Sequence, residues 1–387
     1  MSPSAVSGLR VAVHTDQLRS AAPGGIGTYV AGLLEALPRL DDAPEIVTFQ
    51  VGGGGEAKPS GSRSGPGLGS APGVTVPGTI RSLYPRWALT GRPRLPSELR
   101  GCHVVHSTNH AAVPPVAGRQ ALVVTVHDLA FDVWPETFPP SWRWLYRAGV
   151  RAAARRAAVI VVPSLATATD LQSRYGVAAT RVRVTPLAAS LPTSARDVGE
   201  VLDRLRISRP YVVCPATIEA RKNQDRLVRA YRQVAHDLPH VLVLAGPPGW
   251  RSEQLETELT RPGPGTVIRT GWLDDADFDA VYRGADAVVY PSRYEGFGLP
   301  IVEAMLRGIP VVTSTTPACA ETADGAAVLV DPDDVGGLAD AIGRVATDEA
   351  LRSDLVARGT ARAAGLSWEA TARATLDAYR DAVAMTS

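Results

Sequence analysis

The stretch Pro291-Ser-Arg-Tyr-Glu-Gly-Phe-Gly-Leu-Pro-Ile-Val-Glu-Ala-Met-Leu-Arg-Gly-Ile-Pro-Val-Val312 carries the strongest pattern in this chain. An apolar strand, Ala287–Tyr290, precedes it, and a helix is predicted to start near Pro300, because proline is well tolerated at the first helical position. The free N–H groups and the dipole of that helix start form a ready anion site. Glu295 lies just before this site and Glu303 one turn into the helix. An anion flanked by carboxylates indicates a ligand with both phosphates and hydroxyls, such as a sugar nucleotide.

Length and composition predict a two-domain protein without a membrane span. The 387 residues exceed one typical domain, and 45% of them are hydrophobic, which is enough for ordinary cores. A net charge of +1 gives no argument for nucleic acid or an acidic partner. No signal peptide is seen, and no apolar run approaches the roughly 20 residues of a membrane helix. We therefore expect a cytoplasmic protein, or one held peripherally at the inner face of the plasma membrane.

The three cysteines, Cys102, Cys214 and Cys319, are too far apart in sequence for a metal or redox motif. We expect buried, inert thiols in a reducing compartment.

Short apolar runs alternate with helical patterns in two successive series. Each series is typical of a parallel sheet, so the pattern predicts two Rossmann-like α/β domains. The predicted strands are 9–14, 46–51, 104–106, 122–126 and 159–162, followed by 211–214, 241–245, 267–269, 287–290 and 311–313.

Strand and helix patterns lapse between residues 188 and 210, which predicts the domain boundary there. The first domain is predicted to comprise residues 1–190 joined by a last helix, 369–387, and the second domain residues 208–368. The segment 52–73 is rich in Gly, Ser and Pro and predicts a surface loop, either a tolerated insertion or a functional lid.

The opening stretch resembles the Glu-x7-Glu signature of family 4 of the retaining glycosyltransferases. The likeness includes Pro-Ser before the first glutamate and Gly-Ile-Pro-Val-Val after the second. The resemblance implies the GT-B fold, in which two Rossmann-like domains face each other across a cleft and a C-terminal helix crosses back to the first domain. It also implies that Glu303 binds the ribose hydroxyls of a nucleotide-sugar donor. Glu295 and the amides of the following four residues would hold the donor sugar and phosphate: Gly296, Phe297, Gly298 and Leu299.

A second motif, Thr217-Ile-Glu-Ala-Arg-Lys-Asn223, follows the first strand of the second domain. Its adjacent cations, Arg221 and Lys222, lie where open α/β sheets bind ligands. A diphosphate leaving group needs charge compensation, and no metal site is evident, so these cations are expected to supply it. The run resembles the family's Glu-Pro-Arg-Lys-Asn motif, but Ala220 replaces Pro and Ala216 stands where Gly is common.

Glycine turns mark two further places where the backbone can approach a ligand closely. The loop 23–29, with Gly24 and Gly25, resembles the family's glycine loop, which faces the donor phosphates and the acceptor; the alternative is a plain strand-helix turn. In the second domain, Gly246 and the turn containing Trp272 and Leu273 resemble the family's turns that lie beside the bound nucleotide. The alternative is that both are ordinary turns without a role in ligand binding.

Strand-end histidines are the remaining polar candidates in the first domain. The His127-Asp128 pair resembles the family's strand-end His-Asp, which implies hydrogen bonds from His127 to sugar hydroxyls; a structural histidine is the alternative. Residues 106–110 either contact the acceptor or are satisfied structural groups. The expected catalytic residues are His127, Lys222 and Glu295.

Two other patterns are ambiguous. The pairs Asp275/Asp277 and Asp331/Asp333 match an Asp-x-Asp metal motif, but their predicted helix-start positions favour capping, and no metal is expected. Arginines recur at four-residue spacing on the predicted helix 141–158, beginning just after Trp142. That helix is either a solvated face or a peripheral contact with an anionic membrane or acceptor.

Together these patterns predict a retaining, metal-independent hexosyltransferase without a cofactor. It would move a hexose from a GDP-, UDP- or dTDP-linked donor to a hydroxyl of a saccharide, a lipid-linked or a small-molecule acceptor. Within the family, the motifs resemble enzymes that transfer mannose or rhamnose. Two alternatives stay open: a GT-B sugar-nucleotide epimerase or phosphorylase, and a non-catalytic partner that binds sugar nucleotides and activates another transferase.

Overall fold

The structure, a computed structural model, describes residues 8–20, 24–52, 73–192 and 195–386. The chain divides into two compact units. The first unit comprises Met1–Asp132, Pro139–Ala188 and Ser367–Ser387, and the second Val133–Phe138 and Ala189–Leu366. Most of the predicted loop, residues 53–72, lies outside the described residues.

The first unit is built on a seven-stranded sheet in the order β3-β2-β1-β4-β5-β6-β7, with all pairs parallel. Its central strands are buried on both faces, which explains their unbroken apolar runs. The strands are Arg10–His14 (β1), Glu45–Val51 (β2), Gly73–Val76 (β3), Val104–Ser107 (β4), Ala121–Thr125 (β5), Val159–Val162 (β6) and Val182–Val184 (β7).

The second unit carries a six-stranded parallel sheet in the order β10-β9-β8-β11-β12-β13. One continuous hydrophobic core packs around it. Its strands are Tyr211–Pro215 (β8), Val241–Ala245 (β9), Val267–Gly271 (β10), Ala287–Tyr290 (β11), Val311–Ser314 (β12) and Val328–Val330 (β13).

The helices of the described residues are numbered α1 to α14 in chain order. They are Gly24–Ala36, Ile80–Thr90, Ala130–Val133, Pro140–Arg156, Leu165–Tyr175, Val198–Leu205, Gln224–Val234, Glu253–Thr260, Asp275–Arg283, Leu299–Leu306, Pro317–Ala323, Val335–Thr347, Glu349–Ala364 and Trp368–Thr386. None of these helices is both long enough and apolar enough to span a bilayer.

All ten predicted strands are present, but three strands were missed: β3, β7 and β13. Each of them is an edge strand of three or four residues whose side chains are partly exposed. An edge position removes the need for a continuous apolar run, so the sequence pattern is weak there. The expectation that helical pattern lapses between residues 188 and 210 was wrong, because α6 lies within that segment and is capped by Asp197.

The last helix, α14, returns to the first unit as predicted. It packs on β5, β6 and α1, with Tyr379 fully buried. The Tyr379 hydroxyl lies 2.7 Å from His106 Nδ1 at the end of β4. At the start of the helix, Trp368 covers Gly32 of α1 so closely that a Cβ at Gly32 would lie 2.4 Å from the indole.

Candidate functional site

The turn that carries the adjacent cations is held by Asn223. After β8 the chain forms a short 3-10 turn, Ala220–Lys222, and Asn223 follows with φ of 65°, a left-handed conformation that asparagine tolerates. The buried Asn223 side-chain amide donates to the carbonyls of Pro291 (3.0 Å) and Pro332 (2.7 Å). The turn is therefore fastened to the segment that follows β11, which contains Glu295.

This fastening brings three charged predicted residues into direct contact. Lys222 Nζ lies 2.6 Å from Glu295 Oε1, and an Arg221 guanidinium nitrogen lies 3.0 Å from Glu295 Oε2. The hydroxyls of Tyr290 (2.8 Å) and Ser292 (2.5 Å) also donate to Glu295 Oε1. The Glu295 side chain is 9% exposed and the Lys222 side chain 12%, so this is a largely desolvated cluster.

Glu295 has little capacity left for another hydrogen bond. A carboxylate offers about four lone-pair sites, two on each oxygen; three donors from the protein share Oε1, and Arg221 lies against Oε2. Burial alone would raise the pKa of Glu295, but the charges of Arg221 and Lys222 outweigh it and lower that pKa to about 2. At neutral pH Glu295 is therefore an anion whose nearest partners are the two cations.

The two cations differ in what they can still donate. Arg221 also donates to the carbonyl of Tyr294 and to Glu219, both at 2.7 Å. An ammonium group has three N–H donors, and Lys222 directs two of them to Glu295 and to the Tyr290 hydroxyl at 2.7 Å. Within the part of the chain that the structure describes, Lys222 keeps one donor for a ligand.

Helix α10 begins as the opening stretch predicts. Gly298 precedes it with φ of 99°, a backbone conformation that requires glycine, and Leu299 and Pro300 form the first positions. Thr322 holds the loop that precedes this helix by donating a hydrogen bond to the carbonyl of Phe297 at 2.6 Å. Gly296 and Phe297 are buried, whereas Leu299 is partly exposed at the helix start.

Glu303 lies on the second turn of α10, apart from the contacts of Glu295. Its Oε2 accepts a hydrogen bond from the Tyr282 hydroxyl at 2.9 Å. Burial, followed by the charge of Glu303, raises the pKa of Tyr282 well above its usual value, so this phenol remains a donor. Arg307 lies over the Tyr282 ring and donates to the carbonyl of Glu303 at 2.9 Å.

The two turns that are predicted to lie beside the nucleotide are next to each other. Gly246 and Gly271 form an isolated bridge between the ends of β9 and β10. A Cβ at Gly246 would lie 2.1 Å from the Ala216 carbonyl oxygen, so close backbone packing is sufficient to require this glycine. Trp272 is 51% exposed, whereas Leu273 packs partly against the core.

In the first unit, the two predicted glycines open helix α1 instead of lying in a loop before it. Gly24 adopts φ of 57°, and Gly25 continues the helix; the preceding Pro23 lies outside the described residues.

His127 follows β5, and its Nε2 lies 2.8 Å from the Thr108 carbonyl. Because a carbonyl only accepts, Nε2 carries the proton. Burial lowers the pKa of His127, so the neutral ring keeps an acceptor lone pair on Nδ1.

Of the residues 106–110, His106 is a satisfied structural group. His106 is fully buried between Tyr379 and Thr125, and burial lowers its pKa to about 3. His110 is buried against the rings of Phe131 and Tyr146. The interpretation as an acceptor contact is therefore not supported for His106, whereas both ring nitrogens of His110 lack a hydrogen-bond partner among the described residues.

The Asp-x-Asp pairs cap no helix themselves. Helices α9 and α12 are capped by Asp274 and Asp334, whose carboxylates accept from the backbone N–H three residues on. The capping prediction was thus wrong by one residue, and the buried Asp277 instead pairs with Arg196 and Arg204. No group of three or more His, Cys, Asp or Glu side chains in the described ranges is arranged to hold a metal ion.

Sequence reasoning missed four polar partners of the site. Asn223 was part of the quoted motif, but its bridging role was not foreseen; Tyr290, Ser292 and Tyr282 were not singled out at all. An aromatic residue that ends a strand directly before Pro-Ser is a usable signal for Tyr290, since its side chain must turn toward the following loop.

Two family models match the chain. Residues 23–190 match "Glycosyltransferase Family 4", and residues 209–348 match "Glycosyl transferases group 1". The O-antigen chain mannosyltransferase B of Escherichia coli is 32% identical over 267 residues, which cover 67% of this chain and 70% of that protein. The chain belongs to glycosyltransferase family 4.

A second mannosyltransferase match is more partial. The serotype-specific mannosyltransferase WbdA of Escherichia coli is 30% identical over 200 residues, which cover 49% of this chain and only 24% of WbdA.

Solved structures superimpose on almost the entire chain. Sucrose-phosphate synthase from Thermosynechococcus elongatus gives a TM-score of 0.71 at 21% identity, covering 96% of this chain and 98% of that one. HepE of Anabaena, solved in complex with UDP-glucose, gives 0.70 at 19% identity and covers 95% and 98%. These similarities confirm the predicted GT-B fold, and the family makes this protein a sugar transferase.

Proposed function

We propose that this family-4 protein is a retaining hexosyltransferase that uses a nucleotide-diphosphate sugar without a metal ion. The observation that carries the proposal is the buried contact of Lys222 and Arg221 with Glu295, directly before the start of α10. A diphosphate that binds the free amides of that helix start would meet the remaining N–H donor of Lys222. Cations held in a desolvated cluster stabilise a departing anion more strongly than the same cations in water.

Glu295 is assigned a positioning role in this proposal. Three donors share its Oε1 and Arg221 pairs with its Oε2, so it orients Arg221 and Lys222 toward the donor. The amides from Gly296 to Leu299 would hold the donor phosphate and sugar. Glu303, partly exposed on α10, would accept from the ribose hydroxyls.

The reaction would be a displacement on one face of the sugar. The bond from the anomeric carbon to the diphosphate oxygen breaks, and a bond from the same carbon to the acceptor oxygen forms on that face. The leaving phosphate takes the proton of the acceptor hydroxyl, so no protein nucleophile is needed. His127 would accept a hydrogen bond from a substrate hydroxyl at Nδ1.

The relatives favour a mannose donor. The O-antigen chain mannosyltransferase B and WbdA are both named for mannosyl transfer, and the sequence motifs resemble the same group. We propose a nucleoside-diphosphate mannose, or a related hexose, as the donor, and a hydroxyl of a saccharide, a lipid-linked or a small-molecule acceptor.

Calorimetric titration with GDP and UDP, each with and without a chelator, tests the metal-free site. Binding should be unchanged by chelation, and its loss would show that a metal is required. A panel of GDP-, UDP- and dTDP-linked sugars, incubated with the purified protein and a saccharide acceptor but with no partner protein, tests the activity. Release of the nucleoside diphosphate with retention at the anomeric carbon supports the transferase. Epimerised donor, or binding without turnover, would instead support an epimerase or a non-catalytic partner.

A further inference from the structure

The positive charge of this protein is concentrated in two segments that are distant in sequence, the helix α2 with the four residues that follow it and the helix α4. Residues 80–94 and 140–156 together contain nine arginines and no acidic residue, a charge of +9. The whole chain carries only +1, so everything else carries −8. Such a separation of charge is not expected if arginine serves only to keep the surface solvated.

The fold brings these two segments together. Helix α2 and helix α4 pack directly against each other in the first unit. Close packing of α4 also depends on Gly149, where a Cβ would lie 2.0 Å from the His110 carbonyl oxygen. Both helices bury their apolar sides, so their arginines remain on the adjacent sides that face solvent.

Most of these arginines have no acidic partner among the residues that the structure describes. Arg147 pairs with Asp132, and Arg156 donates to a backbone carbonyl. Arg81, Arg86, Arg151 and Arg155 are exposed, and the structure shows no ion pair for these four among the residues it describes.

Large apolar side chains lie among the exposed arginines. Trp144 is 48% exposed and stands two turns before Arg151 on the arginine side of α4. Trp142 is also exposed at the start of this helix. On α2, Leu89 is 64% exposed, one turn after Arg86. Tryptophan and leucine on a cationic helix are the residues that enter the headgroup region of a bilayer.

We infer that the combined α2–α4 face docks on an anionic lipid bilayer. Charge complementarity identifies the occupant, since phosphate headgroups attract the arginines. The exposed tryptophans and Leu89 add an apolar contact, for which the charged exterior of a nucleic acid duplex offers no partner. Docking would bring the sugar transferase to acceptors in the membrane. The inference does not depend on the proposed donor or reaction, because membrane binding needs neither substrate.

Co-sedimentation with vesicles tests the docking. The full chain, without donor or acceptor, is mixed with vesicles of phosphatidylcholine alone or with phosphatidylglycerol added. We expect pelleting only with the anionic vesicles, weakening as the salt concentration rises. Each cation near an anionic bilayer contributes on the order of a fivefold gain in partitioning. The combined change Arg81→Gln, Arg86→Gln, Arg151→Gln and Arg155→Gln should therefore lower vesicle affinity by more than about a hundredfold.

A matched variant controls for net charge. Arg39→Gln, Arg174→Gln, Arg261→Gln and Arg358→Gln removes four arginines from other surfaces and should pellet like the wild type. Thermal unfolding of both variants verifies that they fold. Absence of pelleting by the wild type, or equal losses in both variants, would overturn the inference. Binding of a DNA duplex as tight as binding of anionic vesicles, lost in the same α2–α4 variant, would also overturn it, because the occupant would then be a nucleic acid.

Discussion

At the scale of single residues, the site depends on one lysine. Lys222 and Lys58 are the only lysines in a sequence that otherwise uses arginine for its cations. The Lys222 ammonium lies between the Tyr290 hydroxyl and Glu295, and 5.2 Å from the centre of the Tyr290 ring. A compact point charge fits this space, whereas a planar guanidinium does not have the same shape or donor geometry.

Substitution of Lys222 should therefore lower catalysis even when the charge is kept. Lys222→Ala is expected to cost about 2–4 kcal/mol in kcat/KM, the range for loss of one preorganised electrostatic group. Lys222→Arg should also be impaired, because the buried space is shaped for an ammonium. Steady-state kinetics with the active donor measure both variants, with Arg226→Lys as a control on the following helix. Unchanged turnover in Lys222→Ala would remove this residue from the mechanism.

The two glutamates of the signature should affect different kinetic constants. Glu295 orients the cations that stabilise the leaving group, so Glu295→Ala should mainly lower kcat. Glu303 is expected to contact the ribose equally in the ground and transition states, so Glu303→Ala should mainly weaken nucleotide affinity.

Calorimetric titration of the nucleoside diphosphate together with steady-state kinetics separates the two effects. Tyr282→Phe is the matched control for Glu303, because it removes only the hydroxyl that donates to that carboxylate. Equal effects of both glutamate substitutions on both constants would contradict this division.

At the scale of elements, the start of α10 depends on one backbone conformation. Gly298 has φ of 99°, and an added Cβ would lie 3.0 Å from the Ile301 side chain. The strand β11 and the helix α10 can be joined at this angle only if that residue is glycine. Of the amides predicted to bind phosphate, that of Leu299 opens the helix directly after this residue.

Gly298→Ala should therefore impair both folding and ligand binding. A non-glycine residue in a left-handed conformation costs roughly 1–2 kcal/mol, and the crowding of Ile301 adds to this cost. Gly325 also has a positive φ, of 78°, but an added Cβ there meets nothing within 4 Å. Urea unfolding should show a smaller loss for Gly325→Ala, and titration should show that only Gly298→Ala weakens nucleotide binding. Wild-type affinity in Gly298→Ala would rule out the helix start as the phosphate site.

At the scale of the whole molecule, the chain ends by completing the unit in which it begins. Helix α14 covers β5 and β6, and its Tyr379 hydroxyl forms a buried hydrogen bond with His106, 273 positions earlier. His106 remains neutral near pH 7, because burial lowers its pKa to about 3. The first unit therefore includes α14 as part of its core.

Tyr379→Phe should lower the free energy of unfolding without changing the contacts of the candidate site. It leaves one buried ring nitrogen of His106 without a partner, which costs about 1–3 kcal/mol. Urea unfolding followed by far-ultraviolet circular dichroism measures the loss. Thr386→Ala, at the end of the same helix, removes a hydroxyl that bonds only within the helix and should be nearly neutral. A stability equal to the wild type in Tyr379→Phe would show that the hydrogen bond is not needed.

The sequence by itself determined the features that depend on neighbouring residues. The central strands are recognisable because a strand buried on both faces must be apolar throughout. The start of α10 is recognisable because Gly-Leu-Pro specifies both the left-handed residue and the first helical turn. The adjacent cations and both glutamates were predicted from motifs, and the structure brings Arg221, Lys222 and Glu295 into contact.

Only the tertiary structure decided the features that join distant residues. Glu295 is separated from Lys222 by 73 positions, and no local pattern shows that four donors would occupy its carboxylate. The edge strands and the one-residue shift of the helix caps were also not predicted from the sequence. Partial burial of a strand and the hydrogen-bond geometry of a cap produce no distinctive pattern of residue types. The charged face of α2 and α4 exists only because packing places two separate helices side by side. Local sequence specifies backbone conformation and burial, whereas the partners of a side chain depend on which segments the fold brings together.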